Sequence, residues 1–155
     1  ERSAVMRGAV TVTMTASAEQ IWEVITDIRN IGRYSPETFE AEWLDGATGP
    51  TLGAKFRGHV RRNEIGPVYW TTCHVTACEP GREFGFEVLV GDRAVNNWHY
   101  RLTPAQGSTD VTESFHLNAS PLVSLYSVFG GQLRKRRNLR DMRKTLERIK
   151  AVVET

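Results

Sequence analysis

Residues 121–155 read PLVSLYSVFGGQLRKRRNLRDMRKTLERIKAVVET. Leu122, Leu125, Tyr126, Phe129 and Leu133 recur at spacings of three and four, one face of a helix. Leu139, Met142, Leu146, Ile149 and Val153 repeat that spacing further on. At about 100° per residue, the second stripe lies roughly 140° round the axis from the first. Between the stripes stand Gly130 and Gly131, where a helix is easily bent or broken. The stretch therefore predicts a C-terminal helix in two parts. The first part closes over an apolar space. The second packs on the outside of a sheet or on its first helices.

What precedes this helix reads as that sheet. Val10, Val12 and Met14 alternate with threonines, a half-buried strand. Ser17-Ala18-Glu19-Gln20 is a capping box, and Ile21, Val24, Ile25 and Ile28 follow at helical spacing. This first helix is expected to end near Asn30 to Gly32, before Ser35-Pro36, with room for a second short helix around Ile31 to Tyr34. Phe39, Ala41 and Trp43 alternate with glutamates, and Phe56, Gly58 and Val60 alternate with basic residues. Tyr69, Thr71, Cys73, Val75 and Ala77 form the more apolar face of a long strand. Phe84, Phe86 and Val88 define the next, then Trp98, Tyr100 and Leu102, then Val111, Glu113, Phe115 and Leu117. Asp45-Gly46, Gly66-Pro67, Pro80-Gly81, Gly91-Asp92 and Gly107-Ser108 punctuate them. Seven strands joined by short turns imply an antiparallel meander. Its inner face needs the C-terminal helix as cover, and a small-molecule pocket fits between the two.

Gross properties narrow the class. A chain of 155 residues is one domain by length, 1–155, and large enough for a real core. No apolar run is long enough for a membrane span. Glu1-Arg2-Ser3-Ala4 has no apolar signal core, and the missing Met suggests a trimmed chain. Cys73 and Cys78, an odd number apart on one strand, are expected on opposite faces, too far apart to bridge. Reduced thiols and a cytoplasmic location follow. No zinc pattern arises from two cysteines and four scattered histidines, so neither metal nor cofactor is expected. From Gln132 onward the net charge is +6 and before it −4, with Arg134-Lys135-Arg136-Arg137 in the basic end. Such a surface attracts nucleic acid, anionic lipid or an acidic partner. It equally suits a helix C-terminus, and no aromatic residues are interleaved for base stacking, so nucleic acid is a minor alternative.

Several stretches carry a family resemblance. They are Ser17-Ala18-Glu19-Gln20-Ile21-Trp22, Tyr34-Ser35-Pro36, Glu79-Pro80-Gly81-Arg82-Glu83-Phe84, Trp98-His99-Tyr100-Arg101-Leu102 and Thr109-Asp110-Val111-Thr112-Glu113-Ser114. In this order the chain resembles the START-like SRPBCC superfamily, and within it the polyketide cyclase/dehydrase-like branch common in actinobacteria. The resemblance implies an α+β, helix-grip (START/Bet v 1-like) fold: a seven-stranded curved antiparallel sheet around a long C-terminal helix. It also implies a ligand such as a lipid, sterol, polyketide, plant hormone or quinone. Some members cyclise aromatic polyketides, and others are ribosome-associated toxins.

The strand parity then proposes site residues. Glu113 shares a face with Val111, Phe115 and Leu117, where a carboxylate is costly unless paired or protonated. It is the candidate catalytic acid/base or ligand anchor, against a salt bridge to a C-terminal arginine or a place at the rim. Arg136, Arg140 and Arg143 continue the first helical stripe and could meet Glu113 or an acidic ligand head group, against simple solvation past Gly130-Gly131. Phe56, Phe86, Trp98, Tyr100, Phe115, Leu122, Tyr126 and Phe129 are candidate ligand contacts, against plain core packing. Gly58 leaves room for a ligand or for close approach of the helix, and Asn96 offers a polar contact in the pocket, against a strand-end residue bonding the loop at Gly91-Asp92. His59, His74, His99 and His116 have the opposite parity, so no catalytic triad forms. The expected function is binding of a hydrophobic small molecule, by a monomer or dimer. The alternatives are a cyclase/dehydratase in the same cavity, or a module docking RNA or an acidic partner through its basic C-terminal face.

Overall fold

The computed structural model describes residues 6–61, 67–117 and 121–155, with side chains in the last segment from residue 135 onward. The element order is β1 (Met6–Met14), α1 (Ala18–Thr26), a 3-10 helix (Ile28–Arg33), β2 (Thr38–Trp43), β3 (Lys55–Arg61), β4 (Val68–Glu79), β5 (Glu83–Val90), β6 (Arg93–Ala105), β7 (Ser108–Leu117) and α2 (Pro121–Val153). One antiparallel sheet holds all seven strands in the order β1-β7-β6-β5-β4-β3-β2. The meander from β2 to β7 follows from short turns. β1 closes the far side by pairing with β7, Val10 opposite Glu113. This is the α+β helix-grip fold.

α1 starts where the sequence places it. Ser17 Oγ accepts from the Gln20 N–H at 3.2 Å. The other half of the capping box does not form: Gln20 Nε2 donates to the Val153 carbonyl at 3.4 Å, tying α1 to the end of α2. α1 also ends earlier than expected, at Thr26, because Asp27 leaves helical geometry at ψ 76° and the chain continues as 3-10 helix. Trp22 Nε1 donates to the Glu83 carbonyl at 3.0 Å and fixes α1 at the start of β5.

The predicted two-part helix is instead one helix. Gly130 and Gly131 lower its propensity, but the helix runs through them from Pro121 to Val153. The second stripe, expected on the outside of the sheet or on its first helices, lies in the core, against the sheet and α1 together. Met142, Leu146, Ile149 and Val153 are buried with Val10, Val12, Met14 and Val111. α2 packs chiefly on β1 and also touches β7 and α1. Gly8 makes this close approach feasible: a Cβ there would sit 2.8 Å from Leu139 Cδ2 and 2.9 Å from Phe115 Cε1. The side chains of Leu122, Leu125, Tyr126, Phe129, Leu133 and Arg134 lie outside the described residues.

Two bulges shift the predicted alternation. Between Thr38 and Glu40 the register of β2 slips, and Phe39 turns to the convex face, 45% exposed, against the His59 ring. Between Val75 and Ala77 the register of β4 slips as well. Ala77 then opposes Gly85, while Cys78 opposes Phe84 and so joins the face of Cys73. The expected opposite placement of the two cysteines is therefore corrected, and both are free thiols. Among the described residues no helix is long and apolar enough to cross a membrane.

Candidate functional site

A cavity of about 400 Å³ lies between the concave face of the sheet, the 3-10 helix with the chain entering β2, and α2. Six of its lining residues are the predicted Phe56, Gly58, Phe86, Asn96, Trp98 and Tyr100, and Glu113 is a seventh. Phe56 and Phe86 meet edge to face at 5.1 Å and form one aromatic wall. At Gly58 a Cβ would come within 3.1 Å of Thr38 Cγ2, so the glycine makes room for β2 as well as for the cavity. Phe115 does not line it. Its face is the expected one, but its ring packs on Trp98 at 5.6 Å and stands in the notch at Gly8, where Leu139 covers it. Phe115 is core.

Glu113 is the most unusual group in the wall. It is 4% exposed, and the Tyr100 hydroxyl donates to its Oε2 at 3.1 Å. Its Oε1 has no hydrogen-bond partner. Burial among apolar side chains pushes its pKa up to about 8, and the bond from Tyr100 only partly offsets this. At neutral pH Glu113 is therefore mainly a neutral acid. Burial first, then the nearby Glu113, pushes the Tyr100 hydroxyl well above its usual range. Of the two placements open to Arg136, Arg140 and Arg143, a partner for Glu113 or simple solvation, the structure shows solvation: all three are exposed on the outer side of α2. The reason is rotational, since the apolar second stripe sets the inward face of α2 and turns those arginines to solvent.

Two more polar atoms lie buried in the wall without partners. They are Oδ1 of Asn96, 7% exposed, and Nδ2 of Asn138, 2% exposed. Asn96 was read from strand parity. Asn138, Asp141, Met142 and Thr145 on α2 were not. Their spacing of three and four was visible, but the polar members were not counted as an inward face. Tyr34, Ser35 and Pro36 also line the cavity; the sequence marks them as the end of a short helix and as part of the family resemblance, not as site residues. Tyr34 is buried, and its hydroxyl donates to the Ile25 carbonyl at 3.0 Å, which holds that wall against α1. Burial also pushes the Cys73 thiol up to about 12, so it is an inert part of the lining.

Histidines occupy the convex face, as their parity implied. His59 bonds Glu40 at 2.8 Å and stacks on Trp70 at 4.2 Å. His74 bonds Glu87 at 3.1 Å, and His99 bonds Glu83 at 2.9 Å. None of these lines the cavity. Among the described residues no three His, Cys, Asp or Glu side chains gather where they could hold a metal ion.

No curated protein matches the chain by sequence. Solved structures do match over nearly its full length. A polyketide cyclase-like protein from Corynebacterium glutamicum, Cgl2372, is 25% identical with a TM-score of 0.66, covering 96% of this chain and 91% of the other. A START superfamily protein from Mycobacterium smegmatis is 18% identical with a TM-score of 0.73, covering 96% and 97%. The di-domain ARO/CYC StfQ of the steffimycin biosynthetic pathway is 12% identical with a TM-score of 0.77, covering 97% of this chain and 51% of that one. The sequence profile of the family described as "Polyketide cyclase / dehydrase and lipid transport" matches residues 6–154. With its seven-stranded sheet and C-terminal helix, the chain belongs to that family, in the polyketide cyclase-like branch of the START-like superfamily.

Proposed function

We propose that this protein binds an apolar small molecule, a lipid, polyketide or aromatic compound, in the cavity between the sheet and α2. One observation carries the reading: a cavity of about 400 Å³ whose aromatic and aliphatic walls are interrupted by three buried polar atoms without partners. A space needed only for packing would be filled, since interiors are close-packed. A ligand site combines apolar area, for affinity, with a few polar groups that fix orientation. The family's description, cyclase and lipid transport together, fits this use of the cavity.

The test is native mass spectrometry of the purified protein, paired with the variant Val88→Trp. Val88 lines the cavity, and the larger ring would occupy it. The wild type should carry a bound small molecule that Val88→Trp lacks, while the variant keeps its far-UV circular dichroism. Equal ligand occupancy in both proteins would refute the reading.

A second reading, a cyclase or dehydratase in the same cavity, is favoured by Glu113. A neutral carboxyl group facing an apolar space can donate a proton to a carbonyl or to a departing hydroxyl oxygen. Aromatic walls would hold the substrate folded for ring closure. In this reading Glu113→Gln loses turnover and keeps binding. A variant that retains turnover excludes Glu113 as the acid.

A further inference from the structure

The convex face of the sheet carries a ladder of stacked rings, on the side away from the cavity. Arg57 holds its guanidinium over the Trp70 ring, 4.2 Å from the centroid. Trp70 stacks on His59 with 8° between the planes, and His59 in turn meets Phe39 at 4.4 Å. Arg61 closes the other end, 5.9 Å from the Phe39 ring. Strand parity sets Val68 on the same face of β4 as Trp70, opposite Arg61. Phe39, Val68 and Trp70 are 45%, 40% and 41% exposed. Single exposed apolar residues are ordinary, but three gathered on one patch mark an interaction site.

The charges around the ladder decide what covers it. Glu40 and Glu42 form an acidic row on β2, with side chains 54% and 49% exposed. β3 beside it carries a basic row, Lys55, Arg57 and Arg61. The rows are in register: Glu42 pairs with Arg57 and Glu40 with His59, across the strands and through their side chains. A nucleic acid or an anionic membrane laid on this face would meet Glu40 and Glu42 together with the arginines, a repulsive element against it. A face with an acidic row beside a basic one is instead complementary to itself. A two-fold axis along the strands, between β2 and β3, sets each acidic row over the basic row of the other copy. Joining two copies edge to edge through β2 is disfavoured. Centred on Ala41, that pairing would set Glu40 opposite Glu42 of the partner subunit, like charges directly opposed.

We propose that the convex face of β2, β3 and β4 docks a second copy of this chain, face to face, in a two-fold dimer. Trp70 and Phe39 are its anchors, and the two charged rows set its register. Trp, Phe and Arg are residue types enriched in such contacts. Stacking and the glutamates hold the ladder in place before docking, so little side-chain freedom is lost on association. At about 150–250 Å² for a large side chain, exposures near two-fifths leave on the order of 500 Å² to cover on each copy, about 1,000 Å² for the pair. That is the low end of specific interfaces, so the dimer is a weak one that forms at micromolar concentration. The cavity lies on the opposite face of the sheet, so docking leaves it free, and the dimer does not depend on the binding function proposed above.

The experiment is sedimentation velocity of the full chain from about 1 to about 500 µM. The wild type should pass from monomer to dimer with a Kd of about 10–100 µM. Glu40→Lys/Glu42→Lys makes both rows basic, and Arg57→Glu/Arg61→Glu turns most of the basic row acidic. Each double variant alone should dimerise at least about 30-fold more weakly, and an equimolar mixture of the two should form a heterodimer within about threefold of wild-type affinity. Trp70→Ser, which removes the central ring, should weaken the dimer at least about tenfold. A wild type that stays monomeric at about 500 µM overturns the proposal without any variant. So does a dimer that the charge variants leave intact, or a mixture that associates no better than its parts. A monomer that binds a single-stranded oligonucleotide or anionic vesicles through this face also overturns it and assigns the face to that occupant. Should a charge variant fail to fold, Trp70→Ser still decides, since a dimer it leaves unweakened refutes the proposal.

Discussion

Glu113 should make the fold itself sensitive to mild alkali. Its carboxyl group moves from 4.5 in the unfolded chain to about 8 in the fold. Below pH 4.5 it is protonated in both states and costs nothing. Between 4.5 and 8 the unfolded chain gives up the proton while the folded chain keeps it, so stability falls as pH rises. Above 8 both states are ionised and the full cost is present. At 1.36 kcal/mol per pH unit that cost is on the order of 4–5 kcal/mol, most of which accrues between pH 5 and pH 8. This is a large share of the stability of a typical domain. Glu113→Gln keeps an acceptor for the Tyr100 hydroxyl and has no proton to lose. Urea unfolding of both proteins at pH 5, 6, 7 and 8 isolates the effect, since all other titrating groups cancel in the difference. The variant should gain on the wild type by a few kcal/mol, on the order of 3–4, over that range. A difference that stays constant to within about 0.5 kcal/mol would refute the assignment of a buried, proton-holding carboxyl group.

The packing of α2 offers two sharper tests of the architecture. Leu146→Ala should cost about 2–5 kcal/mol in urea unfolding, because Leu146 is fully buried between α2 and the sheet, whereas Arg143→Ala on the exposed side should stay within about 0.5 kcal/mol. Equal effects would mean that the helix presents the wrong face. Gly8→Ala should cost about 1–3 kcal/mol, since its Cβ would press on Leu139 and Phe115, while Gly49→Ala, whose Cβ meets nothing within 4 Å, should be near neutral.

Strand parity carried most of what the sequence could say about the site. A period of two assigns each residue to a face, and it placed Phe56, Phe86, Asn96, Trp98, Tyr100 and Glu113 on the concave side where they line the cavity. The errors fall where that period is interrupted. A single extra residue near Thr38 and another near Thr76 each reverse the parity downstream or upstream, which sent Phe39 to the convex face and brought Cys78 to the concave one. Nothing in the local composition announces either bulge.

Parity also gives a face without a depth. Phe115 and Tyr100 share the concave side, yet one is sealed in the core and the other borders empty space. What separates them is what stands opposite: the notch at Gly8 lets Leu139 close over Phe115, while Tyr100 looks toward the wall that carries Asn138, Asp141 and Thr145. The helix misreading has the same origin. Angle sorts the apolar stripe of α2, but it gives the polar residues Asn138, Asp141 and Thr145 no signal of an inward face. A helix that covers a partly polar cavity must turn some polar side chains inward, so Asn138 and Thr145, each at least nine-tenths buried, mark the cavity face of α2 more clearly than any of its leucines.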